Sequence, residues 1–357
     1  MKVLSVNVGR PRELAWRGRI LTSAIVKEPV SGPVGVGAMG LDGDTQVDRR
    51  VHGGVDKAVY LYPSEHYATW EVTLGRTLEA GALGENLTTG GVLEDELHVG
   101  DVVEVGRAVL QVAQPRLPCL KLAARYQRED LPRLFEQAGL PGVYFRVLQP
   151  GPVEAGDALR VVERHPEGWS IPRVFRLLTR ERESTPEAAR LAALGVLGKG
   201  ARETFRKRTG VSATLVGAGP RETAGLADLL RAAGLPIDGF PGDASVVLVA
   251  ETEGRVAGGV ALERWNEAVL LRSLVVAEGS RGGGLGSALA VAAVARARAA
   301  GSEAVYLLTE TAERFFAGLG FQPVERSELP GALSGSAELQ GACPDSAVAM
   351  RLELRGS

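Results

Sequence analysis

The pattern of the chain breaks near residue 210, and one domain cannot account for both sides of the break. All six lysines and all four histidines precede that point. From Gly210 onward stand 12 arginines against 17 acids, with no lysine and no histidine. A length of 357 residues already exceeds one ordinary domain. The break therefore marks two modules with separate histories. It also limits the chemistry, because nothing beyond it can use imidazole as a base.

Residues 1 to about 164 are glycine-rich, with short β-type runs at Val3–Val8, Ser23–Val26, Ala58–Tyr62, Val102–Val105, Val109–Ala113, Gly142–Leu148 and Ala158–Val162. Many short strands separated by turn signals predict a barrel or sandwich-like β module. Residues 165–209 are helical in pattern, with Arg173–Arg180, Pro186–Leu194 and Ala201–Lys207. Ser184 or Thr185 before Pro186 gives an N-cap and first-turn signature. From residue 210 the order becomes strand, helix, several strands, a glycine loop, a long helix, strand, helix, strand, which predicts an α/β module.

Composition removes several function classes. The net charge of −2 gives no reason to expect nucleic acid. No apolar run reaches membrane-spanning length, and the first residues read as a strand, not a signal peptide. Two cysteines, Cys119 and Cys343, speak against a disulfide framework and for a reducing cytoplasm.

Cys119 stands in Gln114-Pro-Arg-Leu-Pro-Cys119. Two prolines stiffen the approach and remove amide donors, so the thiol sits on a shaped loop. It is either a buried small hydrophobe or a reactive or metal-ligating sulfur. Upstream come Gly40-Leu-Asp-Gly-Asp-Thr-Gln46, then Arg49-Arg50-Val-His52-Gly53-Gly54, Asp56-Lys57-Ala58-Val59-Tyr60, Gly84-Glu85-Asn86-Leu87-Thr88 and Val99-Gly100-Asp101; Tyr144-Phe-Arg146-Val-Leu148 follows. Each fragment alone is a polar turn. Their order and spacing resemble the MOSC domain family, in the branch conferring resistance to 6-N-hydroxylaminopurine. The segment with Trp169-Ser-Ile-Pro-Arg-Val-Phe-Arg resembles the three-helix domain of that branch.

That resemblance implies a molybdenum cofactor (molybdopterin) and reduction of N-hydroxylated compounds. Cys119 would be the metal ligand, a soft thiolate suited to molybdenum. Lys27 and Arg146 match basic positions that accompany the cysteine. His52 and Arg116 are further candidates for holding the anionic pterin phosphate. Asp44, Asn86 and Asp101 read as turn and network residues. The chain carries no iron–sulfur cysteine set, dinucleotide fingerprint or haem motif, so electrons are expected from a separate protein. The competing reading is a sulfur carrier with a persulfide at Cys119.

In the second module, strand Leu270–Val276 leads into Arg281-Gly-Gly-Gly-Leu-Gly286 and an alanine-rich helix, Ser287 to Ala300, closed by Gly301. Gly282, Gly283, Gly284, Leu285 and Gly286 can offer backbone amides at a helix N-terminus, with Arg281 adding a fork of donors: a pyrophosphate site. A hairpin at Val246–Ala250 and Ala257–Leu262 precedes, and Ala304–Leu308, helix Ala312–Gly318 and Phe321 follow. This order resembles the GNAT N-acetyltransferases, and in detail those found with arsenic-resistance genes. The resemblance implies acetyl-CoA, with the backbone of Val275 and Val276 facing pantetheine. Many such enzymes carry a tyrosine on the late helix; here Phe315-Phe316 stand there. A base would be Glu310, another carboxylate or water. Arg272 and Ser273 are candidates for binding an anionic small-molecule substrate, such as an amino acid or organoarsenical; Arg272 is equally readable as an ion-pair member. Cys343 reads as a buried small residue. A CoA-binding regulator is the alternative for this module.

The expected architecture is multidomain: a β-rich barrel-like MOSC domain over 1–164, a small three-helix domain over 165–209, and an α/β GNAT acetyltransferase domain over 210–357.

Overall fold

The computed structural model describes residues 1–47, 53–183, 185–242 and 245–354. His52 lies outside the described residues. Two compact units emerge, one of Met1–Arg182 with Val196–Ala201, the other of Glu183–Gly195 with the chain from Arg202 onward.

In the first unit the short β runs become an eight-stranded sheet. Its strands are β1 (Lys2–Val8), β2 (Glu28–Val30), β3 (Val59–Pro63), β4 (Leu87–Gly90), β5 (Val102–Val105), β6 (Ala108–Pro115), β7 (Val143–Gln149) and β8 (Leu159–Glu163), in spatial order β8-β5-β6-β7-β3-β4-β1-β2. The pair β3–β4 is parallel and the others are antiparallel. The sheet curls onto itself: the Val3 amide donates to Asp157 O at 2.9 Å and the Leu159 amide to Met1 O at 3.1 Å, joining β1 to the start of β8. Closure of this kind removes most of the exposed edge. Along β5 the side chains alternate, Val103 and Val105 inward, as a half-buried strand requires. β3 is buried throughout because strands flank it on both sides.

Three helices cover the rim: α1 (Tyr67–Leu74), α2 (Leu120–Tyr126) and α3 (Leu131–Ala138). Trp70 of α1 and Phe135 of α3 stack face to face, with centroids 3.9 Å apart. The Trp70 indole N–H donates to the Tyr62 hydroxyl at 2.6 Å, so this polar group is satisfied inside the core.

One expected strand is absent. Ser23 ends a short hairpin strand, and residues 24–27 are irregular. The Ile25 carbonyl accepts from Arg125 Nη1 at 2.7 Å instead of joining a sheet ladder. Polar side-chain contacts have replaced strand pairing, and the segment lines a cavity.

The second unit is a seven-stranded sheet: β9 (Thr214–Gly217), β10 (Ser245–Thr252), β11 (Arg255–Trp265), β12 (Ala268–Val276), β13 (Ala304–Thr309), β14 (Gln322–Val324) and β15 (Val348–Glu353), ordered β9-β10-β11-β12-β13-β15-β14. Only β12–β13 is parallel. Leu226 and Leu230 of helix α7 (Pro220–Ala232) pack on Val249 and Val275. The alanines of helix α8 (Leu285–Ala299) let it lie close to β11: a Cβ at Gly258 would come within 3.1 Å of Leu289. Helix α9 (Glu313–Ala317) precedes Phe321, whose ring sits edge-on to Phe316 at 5.6 Å.

The stretch expected to be a separate three-helix domain is divided between the units. Helix α4 (Ile171–Thr179) buries Ile171, Val174, Phe175 and Leu178 and packs on β6. Helix α5 (Pro186–Ala193) buries Ala188, Ala189, Leu191 and Ala192 and packs on α8. Helix α6 (Lys199–Thr209) begins in the first unit and ends in the second. Each of these two short helices covers its apolar face with a larger element. As expected, Thr185 caps α5: its hydroxyl accepts from the Ala188 amide at 3.1 Å.

Candidate functional site

In the first unit, β6 ends at Pro115 and the chain turns through Arg116, Leu117 and Pro118 to Cys119. Cys119 is extended (φ −137°, ψ 162°) and immediately precedes α2. Its thiol is free and partly exposed. It borders a cavity of about 90 Å³ that Lys27, Asp44, Tyr60, Arg116 and Tyr144 also line. Lys57 and Lys121 stand on the same wall. Four basic side chains around one carboxylate make a cavity for an anion.

Arg116 is buried, with its guanidinium 5.0 Å above the Tyr60 ring and 6.0 Å from that of Phe135. A guanidinium so placed stays charged. Among the described residues its Nη1 has no hydrogen-bond partner, although water does not reach it. A buried, unpaired charged donor is costly unless a ligand supplies the acceptor.

Lys27 is also buried and its Nζ pairs with Asp44. Burial lowers its pKa from the ordinary lysine value, with Asp44 acting in the opposite direction. Asp44 is held in turn: the Gly9 amide donates to its Oδ1 at 2.7 Å and Asn86 Nδ2 to its Oδ2 at 2.9 Å. Asn86 Oδ1 accepts from the Tyr60 amide at 3.1 Å. The glycine-rich turns of the sequence thus build one wall of the cavity. Behind it Glu85 is fully buried, accepting from the Gly81 and Leu83 amides at 3.0 and 2.9 Å and from Thr88 Oγ1 at 3.1 Å.

Arg146 belongs elsewhere. It lies on β7 two residues beyond Tyr144, but its Nε donates to Asp56 Oδ1 at 2.9 Å and its Nη1 to Gln111 Oε1 at 2.9 Å. Asp56 also accepts from the Lys199 amide at 2.7 Å, fixing the start of α6. With its donors so engaged, Arg146 is a structural anchor and does not line the cavity, contrary to the place beside Cys119 that the resemblance implied for it. Asp101 is a network residue, accepting from the His98 and His165 amides at 3.0 and 2.9 Å and from Arg164 at 2.6 Å.

In the second unit β12 and β13 pair only from Ala268–Leu270 against Ala304–Tyr306. Beyond that they separate around a cavity of about 700 Å³. β12 is irregular there: its register against β11 slips between Gly259 and Ala261, and Ser273 has φ 58°. A non-glycine residue with positive φ in a strand frees backbone groups from the ladder. Val275, Val276, Arg281 and Gly286 line the cavity, as do Glu310 and Phe315.

Gly282 and Gly284 have φ 81° and 86°, turns that side chains disfavour. Gly284 caps α8, whose first amides have no intrahelical acceptor. Gly283 and Leu285 border a smaller adjoining cavity of about 110 Å³ together with Ser280 and Arg281. Arg281 Nε donates to Val276 O at 3.0 Å and braces the loop. Helix α5 backs it: a Cβ on Gly284 would fall 2.9 Å from that of Ala189.

Arg272 lines the cavity with its guanidinium already occupied. It pairs with Glu263, lies 3.1 Å from Glu338 Oε1 through Nε, and donates through Nη2 to Asp238 O at 2.8 Å; its side chain is 1% exposed. Of the two roles expected for it, the ion-pair member fits and the clamp for an anionic substrate does not. Ser273 remains on the wall. Sequence reading missed Glu338, which lies far along the chain and carries no motif. Cys343 lines the same end, its thiol pushed up to about 11 by burial and then by Glu338.

Comparison with known proteins agrees with both halves. The model of the MOSC domain matches residues 48–160, and that of the acetyltransferase (GNAT) domain matches 243–323. The uncharacterized protein YflK of Bacillus subtilis is 37% identical over 206 residues, covering 58% of this chain and 93% of YflK. The crystal structure of YiiM from Geobacillus stearothermophilus superposes with a TM-score of 0.50 at 41% identity, covering 58% of this chain and 98% of that one. A protein of Gibberella moniliformis named "Reductase" is 34% identical over 180 residues, 49% of this chain but only 32% of that protein. The chain belongs to the MOSC-domain family of YiiM homologues, fused to a C-terminal GNAT acetyltransferase domain. No helix among the described residues is long and apolar enough to cross a membrane.

Proposed function

We propose that the first unit binds the molybdenum cofactor and reduces N-hydroxylated small molecules, while the second transfers acetyl groups from acetyl-CoA to a small amine. The observation that carries the first half is the buried, unpaired Arg116 Nη1 in a cationic cavity that also holds Cys119. Among the described residues no group of three or more His, Cys, Asp or Glu could hold a bare metal ion. Molybdenum held within a larger anionic group would take from the protein the soft ligand Cys119. Arg116 and Lys27, with Lys57 and Lys121 at the wall, fit that group in charge. The cofactor, when bound, supplies two-electron oxygen-transfer chemistry.

The protein's own part is binding and orientation. Arg116 donates from a fixed plane, braced by Tyr60 and Phe135. Asp44 keeps Lys27 in place while offsetting its burial. The overall change takes an N-hydroxy group, two electrons and two protons to an amine and water. A separate donor protein is proposed to supply the electrons. The fungal relative's name supports a reductive role.

For the second half the cleft between β12 and β13 supports an acetyl-CoA site, with the glycine loop at its end for the diphosphate. Arg281, Gly282, Gly283, Gly284, Leu285 and Gly286 would hold it, and Val275 and Val276 would pair with pantetheine. The test is direct: the freshly purified full chain, examined by native mass spectrometry, should carry molybdopterin and take up acetyl-CoA. It should also reduce a hydroxylaminopurine with a chemical reductant. Protein made in a cofactor-competent host that holds no molybdenum, and stays inactive after reconstitution, would defeat the first half. A one-sulfur adduct on Cys119 in its place would favour the sulfur carrier.

A further inference from the structure

The acceptor end of the larger cavity carries a charge pattern that the family match does not specify. Glu338 and Glu310 line it, and Arg272 beside them has no donor to spare for a ligand. Leu270, Leu271, Leu274 and Leu235 make much of the remaining wall apolar. Arg326, the other cation near Cys343, is paired with Asp345 at 2.9 Å. An acceptor bearing a carboxylate would meet two carboxylates there, while the donors of Arg272 are taken. The Arg326 Nε, unpartnered among the described residues, is buried and off the cavity wall, and Arg281 stands at the glycine loop; that arrangement disfavours such an acceptor. A cationic amine on an apolar body would meet complementary charge and a surface to cover its body.

We propose that Glu338 is the base that takes the proton from the acceptor ammonium, that Arg272 is the residue positioning it, and that the acceptor is a primary amine on an apolar body without a carboxylate. This rests on the acetyltransferase reading given above. In the step, Glu338 accepts one proton from the ammonium. The freed nitrogen lone pair forms the C–N bond to the thioester carbonyl, the C–S bond breaks, and the sulfur leaves with the nitrogen's second proton. Glu338 then returns its proton to solvent, so no oxidant or further reactant is needed.

Glu338 suits this task. Burial raises its pKa from the ordinary glutamate value, with Arg272 opposing and Glu263 and Asp238 reinforcing. Cys343 donates to it, and Glu310 and Arg326 complete the charged groups at this end. A carboxylate so raised is a stronger base than an exposed one.

The test uses the full chain. Acetyl-CoA binding is measured by calorimetry, and CoA thiol release is followed with phenylethylamine and cadaverine against phenylalanine and glutamate. Phenylethylamine should exceed phenylalanine by about ten-fold or more in kcat/KM. Glu338→Gln should bind acetyl-CoA normally yet lose about a hundred-fold in kcat, together with the ascending limb of its pH profile. Arg272→Lys should keep that limb and Arg272→Met should move it to higher pH, because the opposing charge is gone. Failure of the unaltered chain to bind acetyl-CoA would sink the acetyltransferase reading itself. With binding intact, three results would each overturn the inference alone: preference for the carboxylate-bearing acceptors, no turnover of either amine, or an unchanged limb in Glu338→Gln.

Discussion

Lys27 and Asp44 show what a pair of charges costs and does when both are withdrawn from water. Asp44 has two other donors, the Gly9 amide and Asn86 Nδ2; among the described residues Lys27 has no comparable second acceptor. Asp44→Ala should therefore destabilise the first unit by about 3–5 kcal/mol in denaturant titration, as breaking a buried pair does. Lys27→Met should cost clearly less, since Asp44 keeps its donors. Equal losses for the two variants would contradict this asymmetry. The pH dependence has a fixed sign. Because burial lowers the Lys27 pKa in the folded state, the unfolded chain holds more protons between the folded and the ordinary lysine values. Lys27 should therefore contribute a rise in stability as pH climbs through that window, and the rise should be missing from Lys27→Met. Cys119 and Arg116 were legible in the sequence because a proline frame marks them, whereas Lys27 is singled out only by the resemblance to the MOSC family. Arg146 was not placed correctly, because its partner Asp56 stands 90 positions away. For Arg272 the sequence left a substrate clamp and an ion-pair member equally open, and Glu263 and Glu338 found against it decide for the ion pair.

At the scale of elements, the loop before α8 depends on two glycines and on the helix behind it. Gly284→Ala combines a positive φ with a Cβ approach of 2.9 Å to Ala189. Calorimetry should show acetyl-CoA affinity falling by about ten-fold or more, since a strained backbone cost of 1–3 kcal/mol acts on the binding conformation. Full affinity in that variant would mean the loop does not hold the diphosphate. The succession of helices and strands along the second unit was legible in the sequence, with ends displaced by up to three residues, as at Trp265 of β11. The fate of α4 and α5 did not follow. Their sequences specify an apolar face and a cap, while the surface each face covers is set by tertiary packing, to which local periodicity is blind.

For the whole molecule, the break near residue 210 pointed to two modules, and the structure has two units whose boundary interleaves around α5 and α6. Two units with separate cores predict two thermal transitions. Acetyl-CoA at a hundred times its Kd should stabilise the second by about 2.7 kcal/mol and leave the first in place. A single transition that moves as one would show the units to be energetically inseparable. The central claim remains the thiol that opens on the small cationic cavity. Its most direct test is the molybdenum content of the full chain purified from a cofactor-competent host, compared with that of Cys119→Ser. Close to one molybdenum per unaltered chain is expected, with loss of the metal in the serine variant and unchanged acetyl-CoA binding in both. Equal metal content in the two proteins, or none in either after reconstitution, would contradict it.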